Sequence, residues 1–379
     1  MAIRLAIKGG AEEALGLRLP YYRKAADNFT RRTGIDVDIF IGADNDLAYR
    51  AQLFDVGEKA DVMLVDSLWL PELAENGIIR PLDTFVRGWD DWREYHERAK
   101  ELGEYNGKIY GIPHEMDTRG IFYRKDIVGK DWNPESLEEI IDTASGLRCE
   151  IPLEIYYGTD EGENAMCQGV LPILNSFGGK IRNGGWNVKS REMLNTLRYY
   201  REVFVSKKVC ARVRSSDARE LFSAGKIGIL FDGMWCWNEF WGEKGVFPIE
   251  NKKDIVGYTE IPGKKGKVDL FAGWVFSLGS ETMEANELLK ELCSSEVTSG
   301  VCTATAHVSP RTDSEKPEDE FLIKYTEMLD NAVFRPKAAD YSRVAYQVLL
   351  ATERVVEGVR PRKAMKALYN NVRDIGATD

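Results

Sequence analysis

"GKIGILFDGMWCWNEFWGE", residues 225–243, sets a short apolar run against three tryptophans. The run from Ile227 to Phe231 has the length and composition of a buried strand. Asp232 and Gly233 interrupt it, and a helix-like stretch follows. Trp235, Trp237 and Trp241 therefore stand where a strand hands over to a helix. In open α/β sheets that edge is where ligands bind. Trp237 and Trp241, four apart, share one helix face and read as core. Trp235 is placed to be a platform for something flat and apolar.

The N-terminal third shows the pattern that goes with such an edge. Ile3–Ile7 reads as a first strand, and "LRLPYYRKAADNFTRRTG" (17–34) as an amphipathic helix ended by Gly34. "IDVDIFIG" (35–42) alternates strictly, as a half-exposed strand does. "DLAYRAQLFDVGEKA" (46–60) reads as a helix, and "DVMLVD" (61–66) as a fully buried strand. The order β-α-β-α-β predicts a parallel, doubly wound sheet. From residue 100 the pattern changes. Asn106-Gly107 marks a hairpin turn, helices dominate residues 134–225, and "VDLFAGWVFSLGS" (268–280) reads as a strand pair. The last ~65 residues read as helices punctuated by Gly and Pro.

Composition narrows the function. A chain of 379 residues exceeds the ~250–300 at which single cores stop growing, so two domains are expected. No linker separates them, so the chain is expected to cross between domains more than once. A net charge of −10 argues against nucleic acid and anionic membrane as partners. No run approaches the ~20 apolar residues of a membrane helix, and "MAIRLAIKGG" is not a secretory signal. Six cysteines contain no Cys-x-x-Cys pair and there are three histidines, so a zinc site is not expected. Cys293 and Cys302 are the nearest pair, joining a helix end to the next loop, and disulfide pairing stays open. His114 is the histidine expected nearest the site. No P-loop or nucleophile-elbow motif is present.

Six pieces in order carry a resemblance: "FTRRTGIDVDI", "ADVMLVDSLWLPELAENGIIRPLD", "YNGKIYGIPHEMDTRGIFYRKDI", "LFSAGKIGILFDGMWCW", "AGWVFSLGS" and the segment from Asn331 to Val372. The chain resembles the extracellular solute-binding proteins of ABC importers, the family of maltodextrin- and trehalose/maltose-binding proteins. The resemblance implies an α/β fold of two interlaced lobes, each a doubly wound sheet flanked by helices. The lobes would be 1–112 with 273–310, and 113–272 with 311–379. Hinges are expected near 112–116, 271–273 and 309–313, with a ligand cleft between the lobes.

A sugar offers hydroxyls and an apolar C–H face, so its site needs aromatic planes beside carboxylates and amides. Gly233-Met234-Trp235 matches the family's Gly-x-Trp stacking turn. Asp117 aligns with a carboxylate that binds sugar hydroxyls, and Glu115 is a second acid nearby, either in the cleft or in solvent. Asp66 ends a buried strand, either as a ligand contact or as a helix N-cap, and Trp69 is the aromatic of the next turn. Trp274 follows Ala272-Gly273 where relatives have Gly-Gly-Trp. Tyr341 and Arg335 match a segment that closes over the ligand, and Gln168 matches a sugar-contacting position. Relatives that bind maltodextrins place a Trp where this chain has Ala345, which argues for a shorter ligand. Lys8–Gly10 ends the first strand, either touching ligand through backbone N–H or, as the preferred reading, making a plain turn.

The resemblance implies an extracytoplasmic, monomeric protein, in the periplasm or at the cell surface. No export signal lies within the sequence. It would capture a mono- or oligosaccharide and deliver it to a membrane permease, with no cofactor and no catalysis. Two other classes remain to weigh. One is a binder of a glycerol phosphoester, a polyamine or a metal chelate. The other is a glycoside hydrolase, which would need two carboxylates ~5–10 Å apart.

Overall fold

Strand β1 (Ile3–Ile7) pairs in parallel with two neighbours, β2 (Val37–Ile41) and β3 (Val62–Asp66). Helices α1 (Glu12–Thr33) and α2 (Asp46–Val56) make the crossovers, as the apolar/polar alternation predicts. α1 begins ahead of the expected Leu17 and carries Pro20 inside it; Gly34 ends it in the left-handed region with φ 75°. The structure, a computed structural model, describes residues 2–56, 59–183, 185–264, 266–329 and 332–375.

Past the Asn106-Gly107 turn, which closes the expected hairpin, come β4 (Ile112–Asp117) and β5 (Arg119–Arg124). They belong to different sheets. β4 pairs with β9 (Leu270–Leu278), and β9 pairs antiparallel with β3, which extends the first sheet. β5 lies in a second sheet of order β8 (Val256–Thr259), β5, β7 (Ile227–Gly233), β6 (Ile151–Glu154). The chain thus leaves the first sheet at Thr118, just beyond the expected 112–116, and re-enters it at Leu270. β10 (Val333–Phe334) returns to the first sheet beside Leu270 and Phe271.

Residues 268–280 are not a strand pair: β9 runs unbroken over nine residues. Gly273 is required at its centre, because a Cβ there would lie 2.3 Å from the Glu115 carbonyl of β4. The glycine marks close strand packing rather than a turn.

Helices cover both sheets. α3 (Arg191–Arg201), α4 (Ser215–Ser223) and the short α5 (Cys236–Glu239) accompany the second sheet. α6 (Met283–Leu292) and α7 (Ser295–Thr305) pack on α1. α8 (Tyr341–Val356) and α9 (Pro361–Asp374) close the chain against α3. Cys302 lies within α7, not in a loop, and all six cysteines are free. Trp237 and Trp241 are buried as expected. Trp237 stacks on Phe321, and Trp241 meets Phe122 edge-on. No helix among the described residues is long and apolar enough to cross a membrane.

Candidate functional site

A cavity of about 650 Å³ opens between the two sheets, and both contribute to its wall. From the second sheet comes Trp235, directly after β7. The Gly-x-Trp turn has a steric reason: a Cβ on Gly233 would lie 2.2 Å from the Trp235 Nε1. The indole folds back over the strand end because nothing stands there. Arg219 of α4 holds it from behind. Its guanidinium lies 4.5 Å from the Trp235 ring and 4.5 Å from Phe240. A fork of hydrogen bonds to Asp232 at 2.8 and 3.0 Å fixes the guanidinium in turn. From the first sheet comes Trp274 on β9, edge-on to Trp69 with ring centroids 5.5 Å apart.

Between the two indoles the wall is charged and ordered. Asp117 is buried and ion-paired to Arg119. Asp66 does one of the jobs foreseen for it, the N-cap, and lines the cavity besides. It accepts the Leu68 N–H at 2.9 Å as an N-cap and pairs with Arg335. Arg335 also donates to Ser67 Oγ at 3.1 Å. Glu115 is fully buried in the wall, 3.1 Å from Arg18 Nη2 and 3.2 Å from His307 Nδ1. Burial by itself would raise its pKa. The charges of Arg18, His307 and His114 outweigh that and hold it at about 2. Gln168 lies on a π-helical turn, Ala165–Val170, and faces the cavity. Such turns often occur at functional sites. Lys8, Gly9 and Gly10 are cavity wall rather than a plain turn.

Trp69 and Tyr341 are corrections. Both lie one layer behind the wall. Trp69 is 2% exposed, wedged between Tyr49 and Trp274. Tyr341 is 1% exposed, with its hydroxyl 3.3 Å from Glu163 Oε2. The histidine at the cavity is His307, not His114, which is enclosed by Tyr22 and Phe276. Sequence reading also missed Arg18, Glu163, Asn164, Arg219 and Glu239. The only sequence signal for Arg18 and Arg219 was a basic residue on a helix beside a strand end.

The fold has well-matched relatives among solved structures. MalE3 of T. maritima, with maltose bound, superposes with a TM-score of 0.82 over 99% of this chain and 100% of that one, at 21% identity. An ABC transporter solute-binding protein of Thermotoga lettingae, bound with α-D-tagatose, gives 0.85 over 99% of both chains at 20% identity. Among curated proteins, a binding protein of Brucella abortus is 23% identical over 203 residues, 48% of this chain and 46% of its own length. The match thus spans about half the length of that relative. The osmoprotective compounds-binding protein GgtB of Synechocystis is 22% identical over 332 residues, 82% of this chain and 79% of its own. Residues 24–329 match the family described as bacterial extracellular solute-binding protein, and the chain belongs to that family.

Proposed function

We propose that this protein is the extracytoplasmic solute-binding component of an ABC importer and holds a mono- or oligosaccharide between its lobes. The observation that carries the reading is a single cavity walled by Trp235 from one sheet, Trp274 from the other, and Asp117. Two indole planes suit the C–H faces of a sugar. Arginine-paired carboxylates suit its hydroxyls, because charge-assisted hydrogen bonds are roughly twice as strong as neutral ones. The volume falls within the ~300–1,000 Å³ usual for small ligands. Asp66, Glu115, Asp117, Gln168, Trp235, Trp274 and Arg335 are the proposed ligand contacts.

The lobes are proposed as 1–117 with 270–310 and 118–269 with 311–379, hinged where the chain changes sheet; the expected bounds at 112 and 273 shift because β4 and β9 lie wholly in the first sheet, and β10 reaches back to that sheet from the second lobe. Ligand captured between them shifts the population toward a closed form, which a membrane permease would read. The protein acts as a monomer and performs no catalytic step. Maltose and tagatose in the two solved relatives support the sugar class. A phosphoester is disfavoured, since four of the five cavity arginines, Arg18, Arg119, Arg219 and Arg335, are each paired with a carboxylate, and the fifth, Arg214, is exposed. Calorimetric titration with mono-, di- and trisaccharides is the test. Saturable one-to-one binding of at least one is expected, and no saturable heat with any sugar or polyol would sink the reading.

A further inference from the structure

The buried carboxylates of the cavity are not alike. Asp66, Glu115 and Asp117 each have an arginine within ion-pairing distance. Glu163, 7% exposed and part of the same wall, has no cation that close among the described residues. Its Oε2 is met by the Tyr341 hydroxyl at 3.3 Å and the Cys167 thiol at 3.9 Å. Arg335, whose charge acts on it, is committed to Asp66 and Ser67.

Beside it is an orphaned acceptor. Asn164 Nδ2 donates to Ser215 Oγ at 3.1 Å, so its Oδ1 is left to accept from Gln168 Nε2 at 3.0 Å. With its Nε2 so used, Gln168 keeps its Oε1 buried and without a partner. Gln168 is 2% exposed and lines the cavity. Along this stretch of helix, Glu163 thus lacks a cation and the Gln168 Oε1 lacks a donor. A buried acceptor left unmatched is costly, so a ligand that supplies the donor is favoured. The surroundings are acidic too. Leu47 packs on Gly162, which brings Asp46 toward Glu163, and nine carboxylates line the cavity against six lysines and arginines.

We infer that the ligand carries a basic amine, as an amino sugar does, and that its ammonium group docks between Glu163 and the Gln168 Oε1. This rests on the sugar reading above and sharpens it. A hydroxyl supplies one hydrogen and no charge, whereas an ammonium supplies three hydrogens and the missing cation. Glu163 also has a proton to give up. Burial, with Asp66 and Asp46 adding to it against Arg335, pushes its pKa up to about 7. An incoming ammonium favours the carboxylate, so binding near pH 6, where the free amine already carries its proton, releases up to about nine-tenths of a proton.

The experiment is calorimetric titration of the whole chain with glucosamine, galactosamine and their β-1,4-linked dimers. Each is compared with its neutral parent and its N-acetyl form, in two buffers of different ionisation heat. At least one amine should bind about 10- to 100-fold tighter than its neutral parent and its N-acetyl form. Proton release near pH 6 should accompany it. Glu163→Gln, checked for an unchanged melting profile, should shrink that preference and abolish the proton release. The release in the unmutated protein is a readout that needs no variant. A neutral sugar bound as tightly as every amine tested would overturn the amine inference and leave sugar capture standing. If nothing in the panel binds while another sugar does, the amine inference alone falls; if no sugar or polyol binds, both readings fall.

Discussion

Gly233 and Trp235 behave as one unit, because the indole occupies the space a side chain at 233 would fill. Trp235→Ala should therefore lose the platform while keeping the fold, since its ring is only half-buried. The expected loss is about 2 kcal/mol of sugar affinity, about 30-fold in Kd. Gly233→Ala should move affinity in the same direction by displacing the ring. Calorimetry beside thermal scans checks both, and undiminished affinity in Trp235→Ala would remove the indole from the site. Aromatics and acids at strand ends were legible because residue type and position coincide: Trp235, Asp66 and Asp117 reach the cavity, as Trp274 does from the middle of β9. Trp69 and Tyr341 were misplaced because a strand end does not tell which of two adjacent layers a side chain enters. Arg18, Glu163, Arg219 and His307 were illegible for another reason. Each is an ordinary polar residue until tertiary crossing brings a partner, as when Arg18 meets Glu115 97 positions away and Glu239 221 positions away.

At the scale of elements, α1 and β4 are joined by a titrating cluster. Tyr22 Oη on α1 lies 3.2 Å from His114 Nε2 and 3.4 Å from Glu115 Oε1 on β4. His114 Nδ1 is buried without a partner, and burial pushes the imidazole down to about 4. Between pH about 4 and 6.5 the unfolded chain thus holds a proton at His114 that the native one does not, so this group lowers stability as pH falls through that window. Glu115, held at about 2, removes further stability as pH falls below about 4.5. Glu163, raised to about 7, acts in the opposite sense, stabilising as pH falls from about 7 toward 4.5. A difference measurement isolates the histidine. Relative to the parent, His114→Gln should gain up to about 3 kcal/mol between pH 6.5 and 4, read from denaturant midpoints. A pH-independent difference would mean the imidazole is protonated in place. The elements themselves were largely legible, since alternation and Gly stops marked β1 through β3 and α1. β9 was not. Ala272-Gly273 looks like a break in sequence, and only the approach of the Glu115 carbonyl explains the glycine.

Across the whole molecule, one guanidinium clasps the two lobes together. Arg18 on α1, beside the first sheet, contacts Glu239 on α5, beside the second, at 2.9 Å, while its other partner is Glu115. Asn238 of the same short helix donates to the Thr303 carbonyl of α7 at 3.1 Å. These contacts bridge elements that must separate if the lobes swing apart, so they favour the closed arrangement over the open one. A ligand gains affinity in proportion to the fraction of protein already competent to hold it. Glu239→Gln keeps the shape of the side chain and removes its charge, which should raise the open population and lower sugar affinity by up to about tenfold. Affinity alone would not separate this from a lost direct contact, because Glu239 also lines the cavity. Small-angle scattering does. A protein of this length has a radius of gyration near ~21 Å; without ligand the variant should be the larger of the two, and at saturating sugar both should converge on one value. Equal ligand-free radii alongside weakened binding would assign Glu239 to the ligand rather than to the clasp.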